Sequence, residues 1–180
     1  GDGRRAIALV ANACSTALGL YDPLEEIAAF CSERGLWLHV DGAHGAAALL
    51  SAEHRRRLQG VERADSMVWD AHKLLRAPTV CAAVLVREAS TVECTKAGLG
   101  LRFFSVLAAY VERQFRVTRE AWQLIARQPD FECAAEPQAN ILCFRLKGVE
   151  DERQLALRTA ILAEGSFYLS AAEHAGRRWL

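Results

Sequence analysis

Two short apolar runs on either side of one helical segment place the strongest constraint on the fold of this 180-residue chain. Residues 6–11 and 36–40 have the length and composition of buried β-strands. Between them, apolar residues recur at helical spacing from Leu24, after Asp22 and Pro23, which predict an N-cap and a first-turn proline. A strand, a helix and a strand in this order predict a right-handed crossover between parallel strands. The sequence therefore favours an α/β fold with a mostly parallel sheet.

Later segments extend this pattern. They are predicted strands at 66–69, 80–86 and 140–145 and predicted helices at 95–127 and 151–163. Gly165 follows the last helix at the position where a left-handed residue commonly ends one. The second half of the chain therefore predicts a smaller layer of helices and strands.

Charge and composition exclude several classes of protein. Lysine plus arginine and aspartate plus glutamate are equal at 22 each, so no global field would attract nucleic acid or an anionic membrane. No apolar run is long enough to cross a bilayer, and the first residues do not resemble a signal peptide. The six cysteines include no C-x-x-C pair, which fits a reducing compartment. We therefore expect a cytoplasmic protein that binds neither nucleic acid nor membrane.

Three polar clusters follow predicted strands, at residues 15–16, 41–44 and 70–73. In open parallel sheets, ligands bind beyond the carboxyl ends of the strands. Asp41 and Lys73 would then place a carboxylate and an amine at the ends of two strands. Such a pair can hold an aromatic aldehyde cofactor, because the amine forms a Schiff base while the carboxylate stabilises a protonated ring nitrogen.

Longer motifs agree with a known family in order and spacing. They are Tyr21-Asp-Pro-Leu-Glu-Glu-Ile27, Gly35-Leu-Trp-Leu-His-Val-Asp-Gly-Ala-His-Gly45, Gly60-Val-Glu-Arg-Ala-Asp-Ser-Met-Val-Trp-Asp-Ala-His-Lys73, and Glu136-Pro137 leading to Asn140-Ile-Leu-Cys-Phe-Arg145. The chain resembles the group II pyridoxal-phosphate-dependent amino-acid decarboxylases, which include glutamate, aromatic amino-acid and diaminobutyrate decarboxylases. The resemblance implies that the chain decarboxylates an L-amino acid to the amine and carbon dioxide, with pyridoxal 5'-phosphate as cofactor.

The resemblance also implies a role for each matching residue. Lys73 would form the Schiff base and Asp41 would pair with the pyridine nitrogen. His72 would contact the cofactor or the substrate, Ala43 would lie against one face of the ring, and Thr16 would hydrogen-bond near the ring substituents. No metal is implied.

The family resemblance further implies domain organisation and assembly. We expect residues 1–127 to form the cofactor-binding large domain of an aspartate-aminotransferase-like fold, and residues 128–180 to form part of a small C-terminal domain. Family members are homodimers. The family also has an earlier segment and, near residues 90/91, a mobile loop with a catalytic tyrosine. We therefore expect the 180 residues to be pieces of a longer chain, and no proton donor can be named among them.

Two departures from the family pattern and two alternative functions stay open. Asp70-Ala71 stands where Asn-Pro or Asp-Pro is usual, and His44 stands where an aromatic residue is common, which leaves the substrate undetermined. His39, Asp41 and His44 could instead bind the metal of a hydrolase, which metal analysis would reveal. The chain could also be a non-catalytic partner subunit, which cofactor occupancy would distinguish.

Overall fold

The computed structural model describes residues 5–78, 81–88 and 103–180. The chain divides into two compact units, one formed by Gly1–Ser15 and Leu20–Gln114 and the other by Thr16–Gly19 and Phe115–Leu180. The boundary between them falls inside a helix. The domain boundary predicted after residue 127 stays a prediction.

The first unit is built on a four-stranded sheet with the order β1-β2-β3-β4. Its strands are β1 (Ala8–Asn12), β2 (Trp37–Asp41), β3 (Ser66–Asp70) and β4 (Ala82–Val86). β1 and β2 are parallel, as are β2 and β3, whereas β4 runs antiparallel to β3. The predicted α/β class with a mostly parallel sheet is therefore confirmed.

Helix α1 (Leu24–Arg34) connects β1 to β2 and buries Leu24, Ala28 and Cys31. Val40 and its register partner Ala11 on the neighbouring strand are completely buried, because successive side chains of a strand point to opposite faces of the sheet and these two share the covered face. Gly35 ends α1 in the left-handed conformation, with φ at 60°. The helix between two parallel strands is the crossover that the sequence predicted.

The predicted N-cap of α1 is wrong. The N-cap position is occupied by Pro23, and no side chain caps the helix. The Asp22 carboxylate instead accepts hydrogen bonds from the backbone N–H of Asn12 at 2.7 Å and from its side-chain amide at 3.2 Å. The Asp22 carboxylate is bound to Asn12 and does not cap α1. Asp22 therefore joins the start of α1 to the end of β1.

Short 3₁₀ helices follow β2, at Gly45–Leu50, Arg55–Leu58 and Val61–Arg63. A long helix, α2 (Phe103–Ala126), then runs from the first unit into the second. The predicted start of this helix at residue 95 and the predicted loop site at 90/91 lie outside the described residues. Within the described part of the chain, no helix is both long and apolar enough to cross a membrane.

The second unit contains the second part of α2, two strand pairs and one further helix. Strands β5 (Phe131–Cys133) and β6 (Phe144–Leu146) are antiparallel, and β7 (Ala172–His174) and β8 (Arg177–Trp179) form a second antiparallel pair. Helix α3 (Asp151–Glu164) lies between β6 and β7 in the chain and ends at Gly165, as predicted. Of the strand predicted at 140–145, only its end is realised, in β6.

Candidate active site

The carboxyl ends of β2 and β3 form one edge of the sheet, because the two strands are parallel neighbours. Asp41 is the last residue of β2, and Asp70 is the last residue of β3. The loop after β2 is tied to β3, since the Asp70 N–H donates to the Ala43 carbonyl at 3.1 Å and the Gly42 N–H donates to the Val68 carbonyl at the same distance. Asp41 and the turn that carries Lys73 therefore lie at the same edge.

Asp41 is a partly exposed carboxylate, and the small residues Gly42 and Ala43 follow it in the chain. Its Oδ1 accepts a hydrogen bond from the Ala43 N–H at 3.1 Å. The carboxylate can still accept further hydrogen bonds. A side chain at Gly42 would approach the Ala46 Cβ to 2.8 Å and the Val68 carbonyl oxygen to 3.0 Å. The loop next to Asp41 therefore requires glycine at position 42.

Gly45 fixes the other end of this loop against the segment that follows β1. A Cβ at Gly45 would lie 2.4 Å from the Cys14 nitrogen and 2.7 Å from the Ala13 carbonyl carbon, so only glycine fits. The Gly45 N–H donates to the Ala13 carbonyl at 3.0 Å, and the Tyr21 hydroxyl donates to the Gly45 carbonyl at 3.0 Å. Burial raises the pKa of Tyr21 above its usual range, so the phenol stays protonated and acts as this donor.

Lys73 lies three residues beyond β3 and forms an ion pair with Asp70. Its Nζ is 3.1 Å from Asp70 Oδ2. The lysine side chain is 42% exposed, whereas the aspartate side chain is only 13% exposed. The amine is therefore accessible, and its counterion is largely withdrawn from water.

His72 is oriented by the first residues before β4. Its Nδ1 lies 3.1 Å from the Cys81 carbonyl oxygen, and a carbonyl can only accept, so Nδ1 carries a hydrogen. In the neutral imidazole, Nε2 is then without a hydrogen, and it lies 4.0 Å from Asp70 Oδ2. Asp70 is thus adjacent to both residues of the predicted His-Lys pair, although sequence reasoning gave it no role. Its three-residue spacing from Lys73 was the available signal.

Cys14 is buried next to this edge. Burial raises the pKa of its thiol to about 11, and the negative charge of Asp41 acts in the same direction. The thiol is therefore protonated near neutral pH and is not a nucleophile.

Thr16 belongs to the second unit, whereas the other predicted site residues belong to the first. Within the second unit it lines a cavity of about 570 Å³ together with Asn140, Cys143 and Tyr168. Its predicted contact with the cofactor stays a prediction.

The alternative metal site finds no support in the described ranges, which contain no group of three His, Cys, Asp or Glu side chains able to hold a metal ion. His39 Nδ1 lies 2.8 Å from the Ser66 hydroxyl, which also accepts the Trp37 indole N–H. His44 stands at the start of the 3₁₀ helix Gly45–Leu50. His39 is therefore held by a hydroxyl on the neighbouring strand.

The mostly parallel α/β sheet with a carboxylate and an amine at the carboxyl ends of its strands is compatible with an enzyme that binds an aromatic aldehyde cofactor, and comparison with known families identifies the class. Residues 2–97, slightly more than half of the chain, match the pyridoxal-dependent decarboxylase conserved domain. The chain belongs to the pyridoxal-dependent decarboxylase family.

Individual relatives lie within the same family. The chain is 43% identical to the bovine acidic amino acid decarboxylase GADL1 over 113 residues, which are 63% of this chain and 20% of that protein. It is 51% identical to the rat cysteine sulfinic acid decarboxylase over 78 residues, which are 43% of this chain and 16% of that protein. A crystal structure of mouse CSAD in apo form matches 99% of this chain and 47% of its own, with a TM-score of 0.84 and 25% identity. The chain therefore spans less than half the length of these relatives.

Proposed function

We propose that the protein decarboxylates an L-amino acid to the corresponding amine and carbon dioxide, with pyridoxal 5'-phosphate as cofactor. The observation that carries this proposal is the placement of Asp41 and Lys73 at the carboxyl edge of two adjacent parallel strands. Family membership supports the same chemistry.

The residues at this edge fit the cofactor at two of its reactive points. The aldehyde requires a primary amine, and Lys73 supplies an accessible one. The ring nitrogen requires an acceptor, and Asp41 retains acceptor capacity beyond its bond to the Ala43 N–H. When bound, pyridoxal phosphate accepts the electron pair that remains on the substrate as carbon dioxide leaves.

Three residues of the chain would bind and orient the cofactor or the substrate. The Asp41 carboxylate would hold a proton at the ring nitrogen, and its own position is fixed by the Ala43 N–H. Lys73 would anchor the aldehyde end through Nζ. His72 is held in one orientation by the Cys81 carbonyl and would present its imidazole to the cofactor or the substrate. These three roles are separate, so each can be removed by a single substitution.

We propose an acidic side chain on the substrate. Two relatives carry names that specify acidic amino acids and cysteine sulfinic acid, and both exceed 40% identity over the matched region. His44 at a position where the family often has an aromatic residue is consistent with a polar substrate.

A cytoplasmic homodimer is the proposed state of the protein. The six cysteines without a C-x-x-C pair support the location, because unpaired thiols are tolerated in a reducing compartment, and the family's usual assembly supports the dimer. Sedimentation velocity of the full protein tests the assembly, and a single species at the monomer mass would contradict it. Cell fractionation tests the location.

The proposed activity is tested by measuring carbon dioxide and amine from acidic and aromatic L-amino acids. We expect turnover of an acidic substrate by the full protein with pyridoxal phosphate, and none by K73A. The matched control is K147A, because the Lys147 amine contacts only the Pro129 carbonyl among its described hydrogen-bond partners. Turnover by K73A equal to that of K147A would contradict the proposal.

A further inference from the structure

The Asp70–Lys73 ion pair occupies the amine that the cofactor needs. Lys73 Nζ lies 3.1 Å from Asp70 Oδ2, a distance at which an ammonium group donates a charge-assisted hydrogen bond. Asp70 keeps only 13% of its side chain exposed, so water screens this contact less than it would at an open surface.

His72 does not compete for the same carboxylate when it is neutral. Its Nδ1 hydrogen is committed to the Cys81 carbonyl, so the nitrogen that faces Asp70 at 4.0 Å has no hydrogen to donate. Lys73 is therefore the cationic partner of Asp70 in this arrangement.

We propose that Asp70 is a positioning residue that holds the Lys73 amine in an ion pair in the cofactor-free protein and thereby slows cofactor attachment. This inference rests on the proposed function. Attachment requires the ammonium to release one proton to solvent, so that the nitrogen lone pair can attack the aldehyde carbon. A carbon–nitrogen double bond then forms as the aldehyde oxygen leaves in one molecule of water. The hydrogen bond to Asp70 must also break before the nitrogen can reach the aldehyde carbon, and this is the step that the ion pair slows.

The test is the rate at which cofactor-free full protein develops the yellow absorption band after mixing with pyridoxal phosphate at fixed pH. D70N keeps the size of the side chain and removes its charge, and D70E restores the charge. We expect D70N to attach the cofactor about two- to five-fold faster than the wild type at low salt, the range expected for a partly exposed ion pair. Added salt should accelerate the wild type and D70E but not D70N.

A second probe separates the ion pair from simple repulsion between Asp70 and the phosphate group. Pyridoxal has the same aldehyde and no phosphate. If the ion pair is responsible, the advantage of D70N persists with pyridoxal. An advantage that disappears with pyridoxal overturns the proposal in favour of repulsion, and equal rates for D70N and the wild type with both probes overturn it directly.

Two further outcomes are distinguishable. If the wild type never develops the band, the proposed function itself fails, whatever D70N does. If D70N does not fold, as judged by circular dichroism, the salt response of the wild type with pyridoxal decides the matter. Acceleration by salt supports the ion pair, and a rate independent of salt overturns it.

Discussion

Asp41 and Asp65 lie at opposite edges of the same two strands, and each accepts one backbone hydrogen bond. Asp41 Oδ1 binds the Ala43 N–H at 3.1 Å at the carboxyl edge, and Asp65 Oδ2 binds the Leu38 N–H at 2.7 Å at the amino edge. We predict that D41N lowers kcat by about 100-fold or more, because it removes the charge that would stabilise a proton on the ring nitrogen. Steady-state kinetics with the full, cofactor-loaded protein measure this effect.

D65N is the matched control, since it makes the same chemical change in the same sheet at the edge away from the cofactor. Its kcat should stay close to that of the wild type. An equal loss in both variants would mean that Asp41 acts only through the stability of the sheet.

Gly45 gives a prediction about stability at the scale of one residue. G45A would push a methyl group to 2.4 Å from the Cys14 nitrogen, where backbone atoms must move. We expect a loss of about 3 kcal/mol, the upper end for overpacking. G148A is the control, because Gly148 has a φ of 66° but no atom within 4 Å of an added Cβ. It should lose only about 1 kcal/mol, from backbone strain alone. Thermal unfolding midpoints compare the two, and a larger drop for G148A would refute the packing argument.

At the scale of elements, one buried arginine joins β6, α3 and the β7–β8 pair. Arg145 is 4% exposed, and its Nη1 donates to Asp151 Oδ1 at 2.9 Å and to the Arg178 carbonyl at 3.1 Å. Its Nη2 donates to the Val149 carbonyl at 2.5 Å. Its Nε lies 3.5 Å from Glu132, an ion-pair contact without hydrogen-bond geometry. The guanidinium thus joins β6 to α3 and to the β7–β8 pair.

Asp151 makes this junction sensitive to acid. The Arg178 N–H, which donates to Asp151 Oδ2 at 3.0 Å, and then the Arg145 guanidinium hold the pKa of Asp151 below its ordinary value of 3.8. A carboxylate with a lowered pKa stabilises the fold above its ordinary pKa, and that contribution is lost as the pH falls through the lower, folded value. We therefore predict that the thermal unfolding midpoint of the wild type decreases more steeply than that of D151N as the pH is lowered below about 4.

E152Q is the control for this pH dependence, because Glu152 is exposed and lies on the same first turn of α3. Its midpoint should follow the wild-type profile. If D151N and the wild type show parallel profiles, Asp151 does not couple the stability of this junction to pH.

The elements also show where sequence reasoning succeeds and where it stops. The β1–α1–β2 crossover was predictable because apolar spacing and strand composition are local properties. The antiparallel direction of β4 was not, because strand direction is not a local property of composition. Strands of three residues, such as β5, carry too little periodicity to detect. The predicted N-cap at Asp22 was wrong because the Asp22 carboxylate accepts a hydrogen bond from Asn12, and this contact between residues distant in sequence was not predictable.

The same limit applies to the site. Asp41 and Lys73 were predicted from their positions after strands and from family motifs, and the structure places both at one sheet edge. The role of Asp70 depends on a distance of 3.1 Å to Lys73, which spacing alone does not give. Thr16 belongs to the other compact unit, so its role stays a prediction.

At the scale of the whole molecule, the central claim is that Lys73 carries the cofactor, and borohydride reduction followed by peptide mapping tests it most directly. The full protein is purified, its visible spectrum is recorded before and after reduction, and the reduced adduct is located by mass spectrometry. We predict a yellow band that disappears on reduction, with the pyridoxyl label on Lys73. A label on another lysine, or no band after incubation with pyridoxal phosphate, would contradict the account.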